Sequence, residues 1–445
     1  MPHVLLITYE FPPKGGPGVH RPLKTAKYLS RLGWDVTVLT VKDPLGGMMD
    51  ETLLGELPDA VRVERAWSLE PTRAVAAMRR LRGRRRHGGA EGASGGGGGG
   101  GTRGYTSLSR VGIRFVQAFF IPDEKVGWTP WAVRTAARVH TERPVDVVLA
   151  SGPPFSAYGV AWRVARRIGV PWVADLRDPI VGGYFFRPHT PLHAWLMRRY
   201  EAKVARRAAW VVTASEGFTA ELVRRYPEVR ERIATITNGF DPDDFAGVER
   251  AAHEGFVLAY VGTFQGTVRP DALLEAIASL REQGAAVMDD LHVRLVGALD
   301  PETGEAIEAR GLAGLVERVG YVPHAEAVRE MCSADVLFEV RGPERESAGM
   351  IPGKLLEYLA SGTPVLALLA RESVAAEILA RAGAAEIVAP DDVTGVAAAL
   401  ERLHARWRDG TLPVSDPDVA AEFDRSRLVA RYSEILERVI RGDAR

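Results

Sequence analysis

The sequence has little of what marks several common classes of protein. Among its 445 residues there is one cysteine, Cys332, which rules out an intramolecular disulfide and a cysteine metal cluster. Neither charge dominates, since Lys+Arg and Asp+Glu number 57 each, and this balance argues against a general nucleic-acid binder. No apolar run approaches the roughly 18 to 20 residues that span a bilayer. The apolar piece Val4-Leu-Leu-Ile7 is too short for a signal peptide, so we expect a cytoplasmic protein, with association at the inner face of the membrane left open.

Strand and helix signals alternate regularly along the chain. Continuous apolar strands joined by helices indicate parallel sheets that are covered on both faces. Helical patterns separate most of the strands, for example at 21–32, 154–167 and 271–281. The apolar, β-rich runs form a first series at 3–8, 35–40, 61–65, 145–150, 172–175, 210–213 and 233–237, and a second series at 256–261, 293–296, 316–319, 336–340, 364–368 and 386–388.

Two such series, in a chain too long for one ordinary core, predict two domains. We expect an α/β protein with two doubly wound, Rossmann-like parallel-sheet domains. The first domain is expected at residues 1–238 and the second at residues 239–420. The last part, 421–445, contains a helical pattern at 427–441 that we expect to pack back on the first domain.

A glycine-rich tract at 83–104 breaks the alternation. It cannot bury enough apolar surface to offset its ordering entropy, so we interpret it as a flexible insertion in the first domain. A basic stretch at 73–86 precedes it, and an amphipathic, aromatic stretch at 109–121 follows it. Such a pair can make peripheral membrane contact on anionic lipid. The alternative is a solvated arginine face and a helix packed into its own domain.

The most informative segment begins at Pro352-Gly353, a turn that opens a short helix. Lys354 and Glu357 follow three positions apart and therefore share one helix face. The helix N-terminus supplies free N–H groups and partial positive charge for a phosphate. A lysine for phosphate beside a carboxylate for paired hydroxyls suits a sugar nucleotide. The alternative is an ordinary Lys–Glu pair on the surface.

A second glycine-rich loop follows the first predicted strand. Gly15, Gly16 and Gly18 lie between a strand end and a helix start, where backbone can approach a ligand closely. Their spacing is not that of the dinucleotide fingerprint G-x-G-x-x-G, and no Walker G-K-[ST] follows. Asp43, after the second strand, keeps an NAD-dependent dehydrogenase as an alternative.

These motifs, in their order and spacing, resemble those of the family-four retaining glycosyltransferases, whose two-domain architecture is called GT-B. The resemblance covers nearly the whole chain except the glycine tract. It implies that the two domains face each other across a cleft and that the nucleotide sugar lies mainly against the second. The segments that carry it are 11–29, Ser151-Gly-Pro-Pro-Phe-Ser156, 172–179, Thr237-Asn-Gly-Phe-Asp241, Tyr260-Val-Gly-Thr-Phe264, Gly320-Tyr-Val-Pro323 and the helix with Lys354 and Glu357.

The resemblance also implies roles for particular residues. No metal and no cofactor is implied, and the nucleotide sugar is the donor substrate. Lys354 and Arg269 are the candidates for stabilising the departing diphosphate, as preorganised positive groups. The donor-binding candidates are Gly15 and Gly16 over the diphosphate, Glu357 at the ribose hydroxyls, the backbone of Tyr321 and Val322 beside the base, and Thr263 and Gly353.

Two positions depart from the family pattern. Where the family has an Arg and a Lys near the start of the second domain, this chain has Thr263 and Val268. Arg269 can serve by a register shift, because a guanidinium binds phosphate in a fork, or it is a surface arginine. The first glutamate of the family's E-x7-E pattern is absent as well, since Gly349 stands eight residues before Glu357. The nearby candidates to replace it are Glu344 and Glu346.

Asp175, Arg177 and Asp178 form a charged cluster at the end of a first-domain strand. Two carboxylates around one arginine at a ligand-binding sheet edge suit an acceptor hydroxyl or a sugar amine. The alternative is a structural ion pair that shapes the following loop. We count Arg177 and Asp178 with the catalytic candidates, and Asp175, His20 and His189 with the acceptor-side candidates.

The sequence therefore favours a retaining, metal-independent glycosyltransferase that moves a sugar from a nucleotide-diphosphate sugar to a saccharide, lipid-linked or small-molecule acceptor. Two alternatives stay open. One is a non-catalytic GT-B binding partner of another transferase, and the other is a GT-B sugar-nucleotide epimerase, which acts without an acceptor. No nucleic acid is expected as a partner.

Overall fold

A computed structural model of the chain describes residues 1–43, 49–70, 120–182, 190–262, 264, 268–341 and 351–443. These residues divide into two compact units. The first unit holds Met1–Ala214, Phe218–Thr235 and the chain from Ala430 onward, and the second holds Ser215–Gly217 and Ile236–Val429. The glycine tract at 83–104, the basic stretch at 73–86 and most of the aromatic stretch, 109–119, lie outside the described residues.

The first unit is built on a seven-stranded parallel sheet with the order β3-β2-β1-β4-β5-β6-β7. The chain starts in the middle of this sheet, so that β1 pairs with β2 on one side and β4 on the other, Val4 facing both Val36 and Val147. The strands are β1 (His3–Thr8), β2 (Asp35–Val41), β3 (Arg62–Ala66), β4 (Val147–Gly152), β5 (Trp172–Leu176), β6 (Trp210–Thr213) and β7 (Ile233–Thr235).

Helices connect these strands and have recognisable start and stop signals. The helix after β4 ends at Gly169, a left-handed residue with φ +77°. The helix after β5 begins at Pro191 and is capped by Thr190, whose hydroxyl accepts from the His193 N–H at 3.1 Å. The helices are α1 (Pro17–Arg31), α2 (Thr129–Glu142), α3 (Ser156–Ile168), α4 (Pro191–Arg207) and α5 (Glu216–Arg225).

The second unit repeats the design with a six-stranded parallel sheet in the order β10-β9-β8-β11-β12-β13. Its strands are β8 (Phe256–Val261), β9 (Leu291–Val296), β10 (Val316–Gly320), β11 (Val336–Val340), β12 (Val365–Leu368) and β13 (Ala385–Val388). Its helices are α6 (Pro242–Phe245), α7 (Asp271–Glu282), α8 (Pro301–Ala309), α9 (His324–Ser333), α10 (Gly353–Ser361), α11 (Val374–Ala382), α12 (Val393–Arg408) and α13 (Pro417–Ala421). The last helix, α14 (Arg425–Arg441), belongs to the first unit from Ala430 onward.

Each sheet is buried on both faces, as its apolar strands require. Along β8, Phe256, Leu258 and Tyr260 enter one core cluster, and the alternate residues Val257 and Ala259 enter another. Helices cover both sides, because a strand that is apolar at every position must bury both of its faces. The prediction of two doubly wound α/β domains is confirmed.

The observed elements differ from the predicted ones mainly at their ends. Helix α1 begins at Pro17, four residues before the predicted start, because proline fits the first turn of a helix. Strand β7 ends at Thr235, and Ile236 already belongs to the second unit. Ile121, at the end of the predicted 109–121 stretch, packs against the first core. None of the described helices is long and apolar enough to cross a lipid bilayer.

Candidate active-site residues

Three glycines follow neighbouring strands at the carboxyl edge of the second sheet. Gly262 comes directly after β8, Gly297 after β9, and Gly320 ends β10. Gly297 has φ +125°, and a Cβ built on it would lie 1.8 Å from the Gly262 carbonyl oxygen. The Gly297 N–H donates to the Gly320 carbonyl at 2.7 Å. Backbone segments are therefore packed against one another here, as only glycine allows, at the edge where open α/β sheets bind ligands.

Helix α10 presents its N-terminus at this edge. It begins at Gly353, directly after Pro352, and no side chain of the described residues caps its first N–H groups. The Leu355 N–H donates to the Pro352 carbonyl at 3.1 Å, and the N–H groups of Gly353 and Lys354 before it suit an anion, which the helix dipole also favours. The buried Tyr358 fixes the helix to the sheet, because its hydroxyl accepts from the Val261 N–H at 2.9 Å and lies 3.2 Å from the Val261 carbonyl oxygen.

Lys354 lies in the first turn of α10 and points into a largely buried environment. Its Nζ atom is 3.1 Å from Oε2 of Glu339 on β11, and 3.7 Å from the centre of the Tyr260 ring on β8. At this distance the Lys354 ammonium and the Glu339 carboxylate form an ion pair. Burial lowers the pKa of Lys354 from 10.5 to about 8, although the Glu339 charge opposes this shift.

Glu339 is a charged side chain inside an apolar strand, with no exposed surface. Neither of its carboxylate oxygens makes a hydrogen bond within the described residues. Its neighbours are two cations, Lys354 on one oxygen and Arg341 on the other, with the Arg341 Nε at 3.2 Å. The carboxylate therefore holds positive charge at the carboxyl edge of the second sheet.

Glu357 lies one turn further along α10 and faces His324. The His324 Nε2 atom is 3.0 Å from Glu357 Oε1, so that the ring orients the carboxylate when this nitrogen carries the proton. His324 is the first residue of α9, and its other ring nitrogen lies 3.8 Å from Asp244. The two α10 residues thus have separate partners, Glu339 for Lys354 and His324 for Glu357, and do not form the simple surface pair with each other.

The remaining donor-side candidates of the second unit occupy different positions. Tyr321, directly after Gly320, is 55% exposed, and Val322 packs partly against the core. Arg269 is held by carboxylates, with its Nε 2.7 Å from Asp271 and a second contact to Glu302. Val268 packs against the second core. Thr263, Gly349, Glu344 and Glu346 lie outside the described residues.

In the first unit, Asp175 forms a buried ion pair at the end of β5. Its carboxylate accepts two hydrogen bonds from the guanidinium of Arg21 on α1, at 3.1 and 2.7 Å. The hydroxyls of Ser151 and Tyr432 donate to the same carboxylate at 2.7 Å each. Burial by itself raises the pKa of Asp175, but the Arg21 charge and the hydrogen bonds from Arg21, Tyr432 and Ser151 together outweigh it, and the pKa is lowered. Every contact of this carboxylate serves to join α1, β4, β5 and α14.

Arg177 and Asp178 differ sharply in their surroundings. The Arg177 guanidinium donates to the backbone carbonyls of Gly152, Pro153 and Gly18, which uses its donors to hold loops together. Asp178 is half-buried and has no hydrogen-bond or ion-pair partner within the described chain. Burial raises the pKa of Asp178. Of the cluster, Asp178 is the group available for a ligand.

The glycine loop of the first unit leads into α1. Gly16 precedes the helix with φ +100°, and a Cβ built on it would meet none of the described residues within 4 Å. Gly15 precedes it in the same loop, and His20 lies half-buried in the first turns of α1. His189 lies outside the described residues.

Two family models match consecutive parts of the chain. One, described as Glycosyltransferase Family 4, covers residues 95–244. The other, described as glycosyl transferases group 1, covers residues 255–406. The chain belongs to the family 4-like glycosyltransferases. This confirms the resemblance that the motifs indicated.

Several curated relatives of this family 4-like chain are D-inositol 3-phosphate glycosyltransferases. One from Catenulispora acidiphila is 29% identical over 259 residues, which cover 54% of this chain and 58% of the relative. One from Geodermatophilus obscurus is 31% identical over 186 residues, 38% of this chain and 39% of the relative. One from Saccharomonospora viridis is 25% identical over 328 residues, which cover 68% of this chain and 70% of the relative. The chain spans about half the length of the first two.

Solved structures of glycosyltransferases share its fold over almost the whole chain. HepE of Anabaena, in complex with UDP and glucose, has a TM-score of 0.62 at 16% identity, covering 98% of this chain and 100% of HepE. Sucrose-phosphate synthase from Thermosynechococcus elongatus has a TM-score of 0.60 at 16% identity, covering 99% and 100%. The fold of the family 4-like chain is therefore GT-B.

The sequence did not identify four residues that contact the candidate site residues. They are Arg21 and Tyr432 around Asp175 in the first unit, and His324 and Glu339 around α10 in the second. Glu339 could have been recognised from the sequence, because it is the one charged residue within the apolar run Val336–Val340. His324 follows the Gly320–Pro323 motif directly. No sequence pattern points to Tyr432, because it lies 257 positions from its partner Asp175.

Proposed function

We propose that the chain is a retaining, metal-independent glycosyltransferase that moves one hexosyl unit from a nucleoside diphosphate sugar to an acceptor hydroxyl. The observation that carries this proposal is the arrangement on α10. Its first turn offers N–H groups that no described side chain caps, together with Lys354, and its second turn offers Glu357, all at the carboxyl edge of the second sheet. That combination matches a diphosphate followed by a ribose.

Each group then has a defined task in donor binding. The N–H groups of α10 and the Lys354 ammonium bind the diphosphate oxygens. Glu357, oriented by His324, accepts hydrogen bonds from the paired ribose hydroxyls. The neighbouring glycines, Gly262 and Gly297, keep the sheet edge free of side chains where the diphosphate lies.

In the proposed reaction the bond between the sugar C1 and the diphosphate oxygen breaks, and a bond between C1 and the acceptor oxygen forms on the same face. The acceptor proton passes to the departing diphosphate. Negative charge grows on that leaving group, and the Lys354 ammonium with the helix N-terminus stabilises it as preorganised positive charge. These groups do the work that a divalent cation does in metal-dependent transferases.

Asp178 is our candidate for binding the acceptor. It is a half-buried carboxylate with a raised pKa, beyond the carboxyl end of β5, and it has no hydrogen-bond or ion-pair partner among the described residues. A carboxylate in that state gains more from a hydroxyl donor than one already paired, such as Asp175. The names of the curated relatives make inositol 3-phosphate the first acceptor to test.

The test is release of UDP from UDP-glucose, the donor named with a HepE structure, with and without inositol 3-phosphate and with EDTA throughout. We expect release that depends on an acceptor and is lost in Lys354→Ala and Glu357→Ala. The exposed Arg408→Ala on α12 serves as the matched control and should keep wild-type rates. Retention is checked by the anomeric coupling constant of the product. If the four common nucleoside diphosphate glucoses all give no turnover with a panel of saccharide, lipid-linked and polyol acceptors, the proposal is wrong.

A further inference from the structure

Helix α4 of the first unit carries an exposed stripe with an unusual composition. Its buried face is formed by Ala194, Met197, Glu201 and Val204. On the opposite face, residues three or four positions apart line up along the helix. Leu192 and Trp195, the apolar members at its N-terminal end, are 63% and 48% exposed. The stripe consists of Leu192, Trp195, Arg199, Lys203 and Arg206.

The neighbouring helix α3 continues the same surface. Its exposed residues Arg163 and Arg166 flank the half-buried Trp162. Both guanidinium groups lie over the Trp162 ring, at 5.6 and 5.2 Å from its centre, and Lys203 of α4 lies over it at 3.5 Å. Cations from two helices therefore converge on one aromatic side chain. We call the exposed residues of the two helices the α3–α4 surface.

Positive charge is concentrated on these two helices. Together they carry eight Lys and Arg residues and one acidic residue, whereas over the whole chain Lys+Arg and Asp+Glu number 57 each. The acidic residue, Glu201, is buried and bonded to Arg225, so it does not offset the surface charge. Of the eight cations, Arg206 alone forms an ion pair within the described residues, with Glu228 at 2.7 Å.

Several of these cations lie against aromatic rings and not against carboxylates. Arg199 lies over Trp195 at 4.9 Å, as Lys203 lies over Trp162. Burial, together with the nearby Arg163, Arg207 and Arg166, lowers the pKa of Lys203. Crowded like charges of this kind are costly unless an anionic partner is present. The surface is thus complementary to a dense array of negative charge.

We propose that the α3–α4 surface docks on a membrane that contains anionic lipid. Leu192 and Trp195 insert at the level of the headgroups, and the cations behind them bind lipid phosphates. An exposed leucine and tryptophan at one end of a cationic stripe fit a lipid surface, where anionic headgroups lie over apolar acyl chains. A nucleic acid offers phosphates but no apolar layer for Leu192. This surface lies on elements other than 73–86 and 109–121, and the proposal does not depend on the transferase activity.

Co-sedimentation of the full chain with vesicles tests this proposal. The vesicles are pure phosphatidylcholine, or phosphatidylcholine with about a third phosphatidylglycerol, a composition with a strongly negative surface potential. We expect binding to the anionic vesicles only, reduced by raised salt. The double charge reversal Arg199→Glu with Lys203→Glu should weaken binding by about tenfold or more. Trp195→Ala, which leaves every charge in place, should also weaken it.

The matched control is Arg371→Glu with Arg408→Glu, two exposed arginines of the second unit that give the same change in net charge. It should bind the anionic vesicles like the wild type. Equal losses in the control and the α3–α4 variant would show that net charge alone matters and would overturn the proposal. No binding to anionic vesicles would overturn it too. Binding to single-stranded DNA that needs Arg199 and Lys203 but not Trp195, without vesicle binding, would replace lipid by nucleic acid.

Discussion

The Nζ atom of Lys354 lies 3.1 Å from Oε2 of the fully buried Glu339, whose other oxygen faces Arg341. This relationship sets the charge of Lys354. Burial lowers the lysine pKa to about 8, and the Glu339 charge prevents it from falling further. A diphosphate bound at the start of α10 acts in the same direction as Glu339, because it too favours the ammonium form.

The pH dependence of kcat/KM should reveal this lysine. Lys354 is charged below its pKa and loses its charge as the pH rises through about 8, so kcat/KM should be level below that pH and fall above it. The profile is measured at saturating acceptor and low donor concentration. In Lys354→Arg the guanidinium stays charged, and the fall near pH 8 should disappear even if the overall rate is lower. A fall that persists in this variant would assign it to another group.

Glu339→Gln should move the alkaline fall to lower pH. The substitution keeps the shape of the side chain but removes the negative charge that favours the Lys354 ammonium. We expect a displaced pH profile and a preserved fold, checked by circular dichroism. An unchanged profile would show that Glu339 only fills space in β11.

Asp175→Asn should destabilise the first unit by about 3–5 kcal/mol, because it leaves the buried Arg21 guanidinium without its counter-charge. The measurement is the unfolding midpoint near neutral pH. Since the pKa of Asp175 is lowered, its contribution is present above the ordinary carboxyl value of 3.8 and is lost as the pH falls below it. The difference between variant and wild type should therefore shrink in acid. Equal stability at neutral pH would mean that the pair is dispensable.

Asp178→Asn, in contrast to Asp175→Asn, should affect acceptor binding and not stability. The Asp178 carboxylate has no hydrogen-bond or ion-pair partner within the described residues, so its loss should leave the unfolding midpoint almost unchanged. Because we assign it to acceptor binding, the KM for the acceptor should rise while the affinity for UDP stays the same. A rise in the UDP dissociation constant, or a large loss of stability, would contradict that assignment.

Gly297→Ala tests the close approach of backbone at the edge of the second sheet. The added methyl group would lie 1.8 Å from the Gly262 carbonyl oxygen, at a φ of +125°. The edge must shift, so we expect a large loss of both stability and nucleotide binding. Gly284→Ala, with φ +65° and open space around the new Cβ, is the matched control and should cost about 1 kcal/mol. Similar effects of the two substitutions would argue against the packing role.

Periodicity and turn chemistry were enough to predict the fold. Strands that are apolar at every position, such as Phe256–Val261, must be covered on both faces, and this dictates a doubly wound sheet. Helix ends were less predictable, as at Pro17, because the capping geometry depends on the loop that precedes the helix.

The site was predictable only in part. Lys354 and Glu357 were found because they lie three positions apart on one helix. Their partners Glu339 and His324 come from other elements, and sequence spacing does not show which side chains will meet across a sheet. Sequence spacing does not reveal the contacts of Arg21 and Tyr432 with Asp175 either, because the three residues lie in distant parts of the chain.

The most direct test of the account is calorimetric titration of the protein with UDP, GDP, ADP, dTDP and NAD. We predict that one nucleoside diphosphate binds, and that Lys354→Ala and Glu357→Gln each weaken it by about tenfold or more, as expected for the loss of a charge-assisted hydrogen bond. Arg408→Ala should bind like the wild type. The assignment of α10 as the donor-binding helix would be contradicted if none of the four diphosphates binds, if NAD alone binds, or if Lys354→Ala leaves the affinity unchanged.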